Sequence, residues 1–139
     1  MKSSIGSMPD RVIVDASAMV DLLVGSPVSG AVHERLRTRE LHAPAHFDAE
    51  VLSALGRLHR AGHLSDRQAK TRLDRLVAAP VDRHRLRPLL TGAWRLRHNL
   101  RLVDALYVEL ANQLDMSIVT TDAGMAAAST SAELLTAHG

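Results

Sequence analysis

Two short apolar runs, each leading into an aspartate, constrain the fold of this chain more than any other feature. Residues 12–14 (VIV) precede Asp15, and residues 118–121 (IVTT) precede Asp122. Short continuous apolar runs are typical of strands buried on both faces of a parallel sheet. The chain has no Asn-Gly or Asp-Gly pair of the kind that closes a hairpin. The sequence therefore predicts an α/β fold: a central, mainly parallel sheet of about four to five short strands with helices on both faces.

The remaining segments are assigned from apolar spacing, caps and breakers. Two further strands are predicted at residues 40–44 and around residues 133–135, and residues 81–86 form a brief segment of no assigned type. Helices are predicted at residues 17–23, 28–39, 47–61, 65–79, 89–97, 103–114 and 124–128. A chain of 139 residues suits one domain. We assign residues 10–139 to it, and residues 1–9, which hold a second Met, to a flexible or non-native extension.

Composition excludes several classes of protein. The chain has no cysteine, which rules out disulfide scaffolds, thiolate zinc sites and cysteine nucleophiles and favours a cytoplasmic location. No apolar run approaches the roughly 18 residues of a membrane span, so we expect no association with a membrane. The eight histidines are scattered and are interpreted mostly as surface residues.

Four acidic residues lie at the ends of predicted strands or at the border of the apolar face of a predicted helix. Asp15 and Asp122 end two strands, and ligands bind beyond the carboxyl ends of such strands. Glu50 and Asp104 each border the apolar stripe of a helix instead of lying on its solvent face. Each acid also has a purely structural interpretation: Asp15 and Asp122 as helix caps, and Asp104 as a first-turn acid favoured by the helix dipole.

A cluster of these four acids would need a cation, because neighbouring carboxylates resist ionising side by side. Mg²⁺ or Mn²⁺, held by carboxylate oxygens and water, is the natural occupant. With the four acids set aside, 17 basic residues face 11 acidic ones, which favours approach of a polyanion. Metal-assisted phosphodiester hydrolysis is therefore the reaction class that the sequence indicates.

The chain resembles the PIN-domain ribonucleases, and among them the VapC-type toxins of bacterial toxin-antitoxin pairs. The resemblance runs from Arg11 onward and rests on four motifs in order: VIVDAS, HFDAEVLSAL, LRLVDALYVELA and SIVTTDAGM. It implies that Asp15, Glu50, Asp104 and Asp122 are catalytic metal ligands. Ser17 and Thr120 would orient an acid or a metal-bound water.

The resemblance further implies a Mg²⁺- or Mn²⁺-dependent endoribonuclease, in which a metal-activated water attacks the phosphorus in line with the leaving 3′ oxygen. The implied partners are an RNA substrate, a cognate VapB-type antitoxin that covers the acidic site, and a second copy of the toxin. The implied homodimer could join a higher toxin-antitoxin assembly. Two alternatives stay open: a catalytically silent PIN-like interaction module, and a nuclease acting on DNA.

A basic stretch between residues 83 and 103 contains no Asp or Glu. It is either an RNA-binding surface or a solvated helix face. The chain has only three aromatic residues, so RNA contacts would be made through its backbone more than by base stacking. The candidate RNA-binding residues are Arg83, Arg85, Arg87, Arg95, Arg97 and Arg101.

Overall fold

Strands and helices alternate along the chain in the computed structural model, which describes residues 10–137. The strands are β1 (Arg11–Val14), β2 (Glu40–Pro44), β3 (Val81–His84), β4 (Ser117–Thr120) and β5 (Ala132–Leu134). The helices are α1 (Ala16–Val24), α2 (Ser29–Leu36), α3 (Phe47–Arg60), α4 (Asp66–Ala78), α5 (Leu90–Arg95), α6 (Leu102–Leu114) and α7 (Ala123–Ala128). The proposed extension, residues 1–9, lies outside the described residues.

The five strands form one parallel sheet in the order β3-β2-β1-β4-β5, which confirms the predicted fold class. The apolar residues of β1 and β4 are at most 1% exposed, as expected of strands covered on both faces. Val14 is in register with Val119, and the Asp15 amide donates to the Val119 carbonyl at 3.0 Å. The pairing of β1 with β4 therefore continues to Asp15 and holds it beside Thr120.

The direction of the chain reverses at the centre of the sheet. It runs outward from β1 through β2 to β3, and then returns past both strands to β4. Right-handed crossovers put the helices of these two paths on opposite faces. In agreement, α1 contacts α2, α3 and α4, whereas α5 packs on α6. The boundary between β1 and β4 is thus the crevice in which open parallel sheets bind ligands.

Three element boundaries differ from the sequence-based expectation. Helix α2 ends at Leu36 because Thr38 adopts a left-handed conformation with φ of 65° that turns the chain into β2. Residues 81–84 form the edge strand β3. The helix expected at residues 89–97 is instead a 3-10 turn at Arg87–Leu89 followed by the short α5. Between residues 10 and 137, no helix combines the length and apolar character needed to cross a membrane.

Candidate active site

A cleft of about 340 Å³ lies at the carboxyl ends of β1 and β4. All four acids singled out from the sequence line it: Asp15, Glu50, Asp104 and Asp122. They come from four places in the fold, namely the end of β1, the first turn of α3, the first turn of α6 and the loop after β4. The parallel sheet brings these places together because its strands all end at the same edge.

Asp15 is the most buried of the four acids, with 5% of its surface exposed. Its Oδ2 accepts hydrogen bonds from the Thr120 hydroxyl at 2.7 Å and from the Ser17 hydroxyl at 2.9 Å. Burial raises the pKa of Asp15 above its ordinary value of 3.8, the two hydroxyls oppose that rise, and the negative charge of Asp104 adds to it. The side chain makes no capping bond to α1, so the cap interpretation does not account for it.

Glu50 is held by two neighbours. The Tyr107 hydroxyl donates to its Oε1 at 2.8 Å, and His46 Nε2 lies 3.6 Å from the same oxygen while contacting the Val103 carbonyl at 2.8 Å. Burial raises the pKa of Glu50, and the bond from Tyr107 and the proximity of His46 act against it. Glu50 therefore has a fixed orientation and a partly desolvated carboxylate.

Asp104 is paired with an arginine at the mouth of the cleft. Arg101 donates to its two oxygens at 2.9 and 3.2 Å, and the pairing raises the pKa of the guanidinium. The Arg101 side chain is 74% exposed, whereas that of Asp104 is only 14% exposed. Asp104 is also a first-turn acid of α6, so its structural interpretation holds alongside its place in the cleft.

The Thr120 hydroxyl links the two strand-end acids. Besides donating to Asp15, its oxygen accepts from the Asp122 amide at 3.0 Å, and it lies 3.2 Å from the Ser17 hydroxyl. The Asp122 side chain accepts from the Gly124 amide at 3.0 Å, which confirms the cap interpretation of that acid. Ser17 and Thr120 thus lie next to Asp15, where the sequence analysis placed them.

The structure adds three residues that the sequence analysis missed. Asp21 and Arg57 also line the cleft, and Tyr107 contacts Glu50 from beneath. Helical spacing could have identified each one: Asp21 is four residues after Ser17 on α1, Arg57 is seven after Glu50 on α3, and Tyr107 is three after Asp104 on α6.

The six candidate RNA-binding arginines occupy different environments. Arg101 lines the cleft, and Arg85, Arg87 and Arg95 are exposed. Arg97 is exposed as well, with its guanidinium 4.6 Å from the centroid of the Trp94 ring.

Arg83 is directed into the fold. It donates to both oxygens of Asp48 at 3.0 to 3.3 Å and to the carbonyls of Leu76, Ala79 and Val81 at 2.9 to 3.0 Å. These bonds join β3 to α3 and to the end of α4.

The donor set of the cleft fits a hard divalent cation. Four carboxylates supply only oxygen ligands, and the open cleft leaves room for the waters that Mg²⁺ or Mn²⁺ retains. The raised pKa values of Asp15 and Glu50 express the cost of holding uncompensated charge there. A cation would remove that cost, because it neutralises the charge that burial disfavours.

Comparisons with known proteins agree with this fold and site. The PIN domain family model matches residues 12–130. Ribonuclease VapC3 of Mycobacterium tuberculosis (strain ATCC 25618 / H37Rv) is 52% identical over 136 residues, which cover 97% of this chain and 99% of that protein. This chain therefore belongs to the PIN domain family. Within that family it groups with the VapC ribonucleases.

Solved structures show the same fold at low sequence identity. M. tuberculosis VapC20, a sarcin-ricin loop cleaving toxin, matches with a TM-score of 0.63 and 20% identity over 84% of this chain and 94% of its own. A toxin-antitoxin complex from Klebsiella pneumoniae matches with a TM-score of 0.66 and 15% identity over 88% of this chain and 95% of its own. These likenesses establish the fold.

Proposed function

We propose that this chain is a Mg²⁺- or Mn²⁺-dependent endoribonuclease that acts as the toxin of a toxin-antitoxin pair. The observation that carries the proposal is the convergence of Asp15, Glu50, Asp104 and Asp122 in one open cleft. The identity to ribonuclease VapC3 over nearly the whole chain supports the same reaction, hydrolysis of RNA phosphodiester bonds.

The four carboxylates are the ligands in this proposal. The bound cation would activate a water for attack on phosphorus and stabilise the charge that develops on the phosphoryl oxygens. Ser17 and Thr120 fix the orientation of Asp15, and Tyr107 fixes that of Glu50. Two of the four proposed ligands are therefore oriented before substrate arrives, which reduces the reorganisation needed during the reaction.

The rim of the cleft supplies positive charge for the RNA backbone. Arg57 and Arg101 line the cleft beside the acids, so a phosphate entering it would meet a guanidinium first. Arg85, Arg87, Arg95 and Arg97 are further exposed arginines that could contact the RNA backbone. Such contacts bind phosphate without reading sequence, so the RNA target would be selected largely by shape.

Two exposed apolar surfaces suit protein partners. One is a groove of about 280 Å³ lined by Leu90, Ala93, Trp94, Leu102, Val103 and Leu106, and Trp94 in it is 55% exposed. The other lies between α3 and α4, where Leu52 and Val77 are 53% and 81% exposed. We assign these surfaces to a VapB-type antitoxin and to a second copy of the toxin, because apolar patches of this kind mark interaction sites. We place this toxin in the cytoplasm.

The test is cleavage of a pool of structured RNAs by purified, antitoxin-free protein with Mg²⁺, with Mn²⁺ or with EDTA. We expect fragments with either metal, and none with EDTA or with the Asp15→Asn variant. Asp74→Asn is the matched control, because Asp74 is an exposed acid on α4 paired with Lys70 and should leave cleavage intact.

The alternatives give distinct results in the same assay. A single-stranded DNA pool cut in preference to RNA would assign the enzyme to DNA. Intact RNA and DNA in both metals, with a folded protein, would leave a silent interaction module and overturn the proposal.

A further inference from the structure

A second group of metal-ligating side chains lies on the far strands of the sheet, apart from the acidic cleft. His42 is on β2, and Asp82 and His84 are on β3. His42 is the register partner of Asp82, and Asp82 and His84 are two residues apart, so all three side chains share one face of the sheet. His42 is an exception to the interpretation of the histidines as mostly surface residues, since it is 5% exposed.

The three ligand atoms are spaced as a small ion requires. His42 Nδ1 lies 2.8 Å from His84 Nε2 and 3.6 Å from Asp82 Oδ2, and the last two atoms are 3.8 Å apart. A point about 2.0 Å from all three atoms exists in this triangle, which is the usual length of zinc bonds to imidazole nitrogen and carboxylate oxygen. That point lies in the plane of the three atoms, so tetrahedral coordination would require a side-chain shift that opens the 2.8 Å contact between the imidazoles.

Glu40 prepares His42 for this role. The other ring nitrogen of His42, Nε2, is 2.8 Å from Glu40 Oε1. An ionised carboxylate only accepts hydrogen bonds, so Nε2 carries the proton and the lone pair of Nδ1 accepts from His84 Nε2. A carboxylate behind a ligating histidine is the usual outer partner of a zinc site, because it fixes the ring and raises its basicity.

We propose that His42, Asp82 and His84 form a binding site for a zinc ion, with Glu40 as the positioning residue. Two imidazoles and one carboxylate would leave a fourth position for water, and Asp82 is 65% exposed. The bound ion would tie the edge strand β3 to β2. The ion would take the place of the hydrogen bond between the two imidazoles. His84 would then carry its proton on Nδ1.

The experiment is a Zn²⁺ titration of the full chain beside the same titration of Asp15→Asn, which identifies any zinc taken up by the acidic cleft. Binding is followed by a competing chromophoric chelator and by the ¹⁵N resonances of the histidine rings. We expect one zinc per chain, with shifts at His42 Nδ1 and His84 Nε2. The unfolding midpoint should rise by roughly 5 to 10 °C at a hundredfold excess over Kd.

Variants at partly exposed positions separate binding from folding. His84→Gln and Asp82→Asn should weaken zinc binding at least tenfold, and Glu40→Gln about tenfold to a hundredfold. His59→Gln is the matched control, since His59 pairs with Asp66 at 2.6 Å, away from the three proposed ligands, and its loss should leave the affinity unchanged. Equal affinity in His84→Gln and wild type, or imidazole shifts confined to other histidines, would show a hydrogen-bonded pair only and overturn the proposal.

Discussion

The Tyr107 hydroxyl donates a hydrogen bond of 2.8 Å to Oε1 of Glu50 and so joins α6 to α3 beneath the acidic cleft. Tyr107 is fully buried, and burial together with the charges of Glu50 and Asp15 raises its pKa far above the ordinary value of 10. The phenol is therefore protonated at neutral pH and donates to Glu50. It favours the ionised form of Glu50, while burial favours the protonated form.

Tyr107→Phe should move the acid limb of the pH–activity profile to higher pH. The ring stays, but Glu50 loses the bond that lowers its pKa, so the carboxylate protonates more readily and binds a cation less well. A bond to a charged group contributes about 1.5 kcal/mol, which corresponds to roughly a tenfold loss of activity on the acid side. The measurement is RNA cleavage across pH, with the alkaline plateau as internal reference. Coincident acid limbs for variant and wild type would contradict it.

Asp15→Asn should stabilise the metal-free protein at neutral pH. Burial raises the pKa of Asp15, so the folded state binds this proton more tightly than the unfolded state, and stability falls as pH rises through the interval between the two pKa values. The advantage of the variant should therefore vanish below the unfolded value of 3.8. Urea unfolding in EDTA at several pH values measures the difference in stability between the variant and the wild type.

Mg²⁺ should make the wild type more stable than Asp15→Asn, which reverses the order expected for the metal-free proteins. Mg²⁺ at a hundredfold excess over Kd would stabilise the wild type by about 2.7 kcal/mol, whereas Asp15→Asn should gain little because it lacks one of the four proposed ligands. Asp74→Asn serves again as control and should respond to Mg²⁺ as the wild type does. An equal Mg²⁺ response in Asp15→Asn would remove Asp15 from the ligand set.

Much of the fold, and the position of the four acids in one cleft, could be predicted from the sequence because the relevant signals are local. Residues 12–14 and 118–119 have the continuous apolar character of central strands, and such strands end at one edge of the sheet whatever the connections. Glu50 and Asp104 were found because helical spacing reports which face a residue occupies. These signals do not depend on side-chain orientation.

The remaining features depend on tertiary contacts that local patterns do not encode. Residues 81–84 contain three polar side chains, and pairing with β2 makes them a strand. His42 is buried because its polar atoms are matched by Glu40 and His84, the latter 42 positions away in the chain. The Arg83 contacts likewise depend on how α3, α4 and β3 meet.

Arg101→Gln should separate metal binding from RNA binding. Arg101 holds both oxygens of Asp104, so its removal frees that carboxylate and should lower the Mg²⁺ concentration needed for half-maximal cleavage. The substitution also removes a positive charge from the cleft, so RNA affinity should fall. In a plot of the logarithm of RNA affinity against the logarithm of salt concentration, the steepness should decrease by about one. Arg95→Gln is the control for the Mg²⁺ effect, because Arg95 is exposed and does not line the cleft. An unchanged Mg²⁺ requirement would mean that Arg101 does not compete with the cation.

Arg83→Met and Arg85→Met should affect different properties of the protein. The first should lower stability, and the second should change RNA binding. Arg83 donates to Asp48 and to three backbone carbonyls, and its removal should destabilise the fold by about 2 kcal/mol because the charged donor that joins β3 to α3 and α4 is lost. It should leave the salt dependence of RNA binding unchanged. Arg85 is exposed two residues later, so Arg85→Met should keep its urea midpoint but lower the salt slope by about one if it contacts phosphate. If Arg83→Met reduced the salt dependence of RNA binding and left stability unchanged, Arg83 would be an RNA-binding residue. An Arg83 that pairs with Asp48 in solution should stabilise the fold.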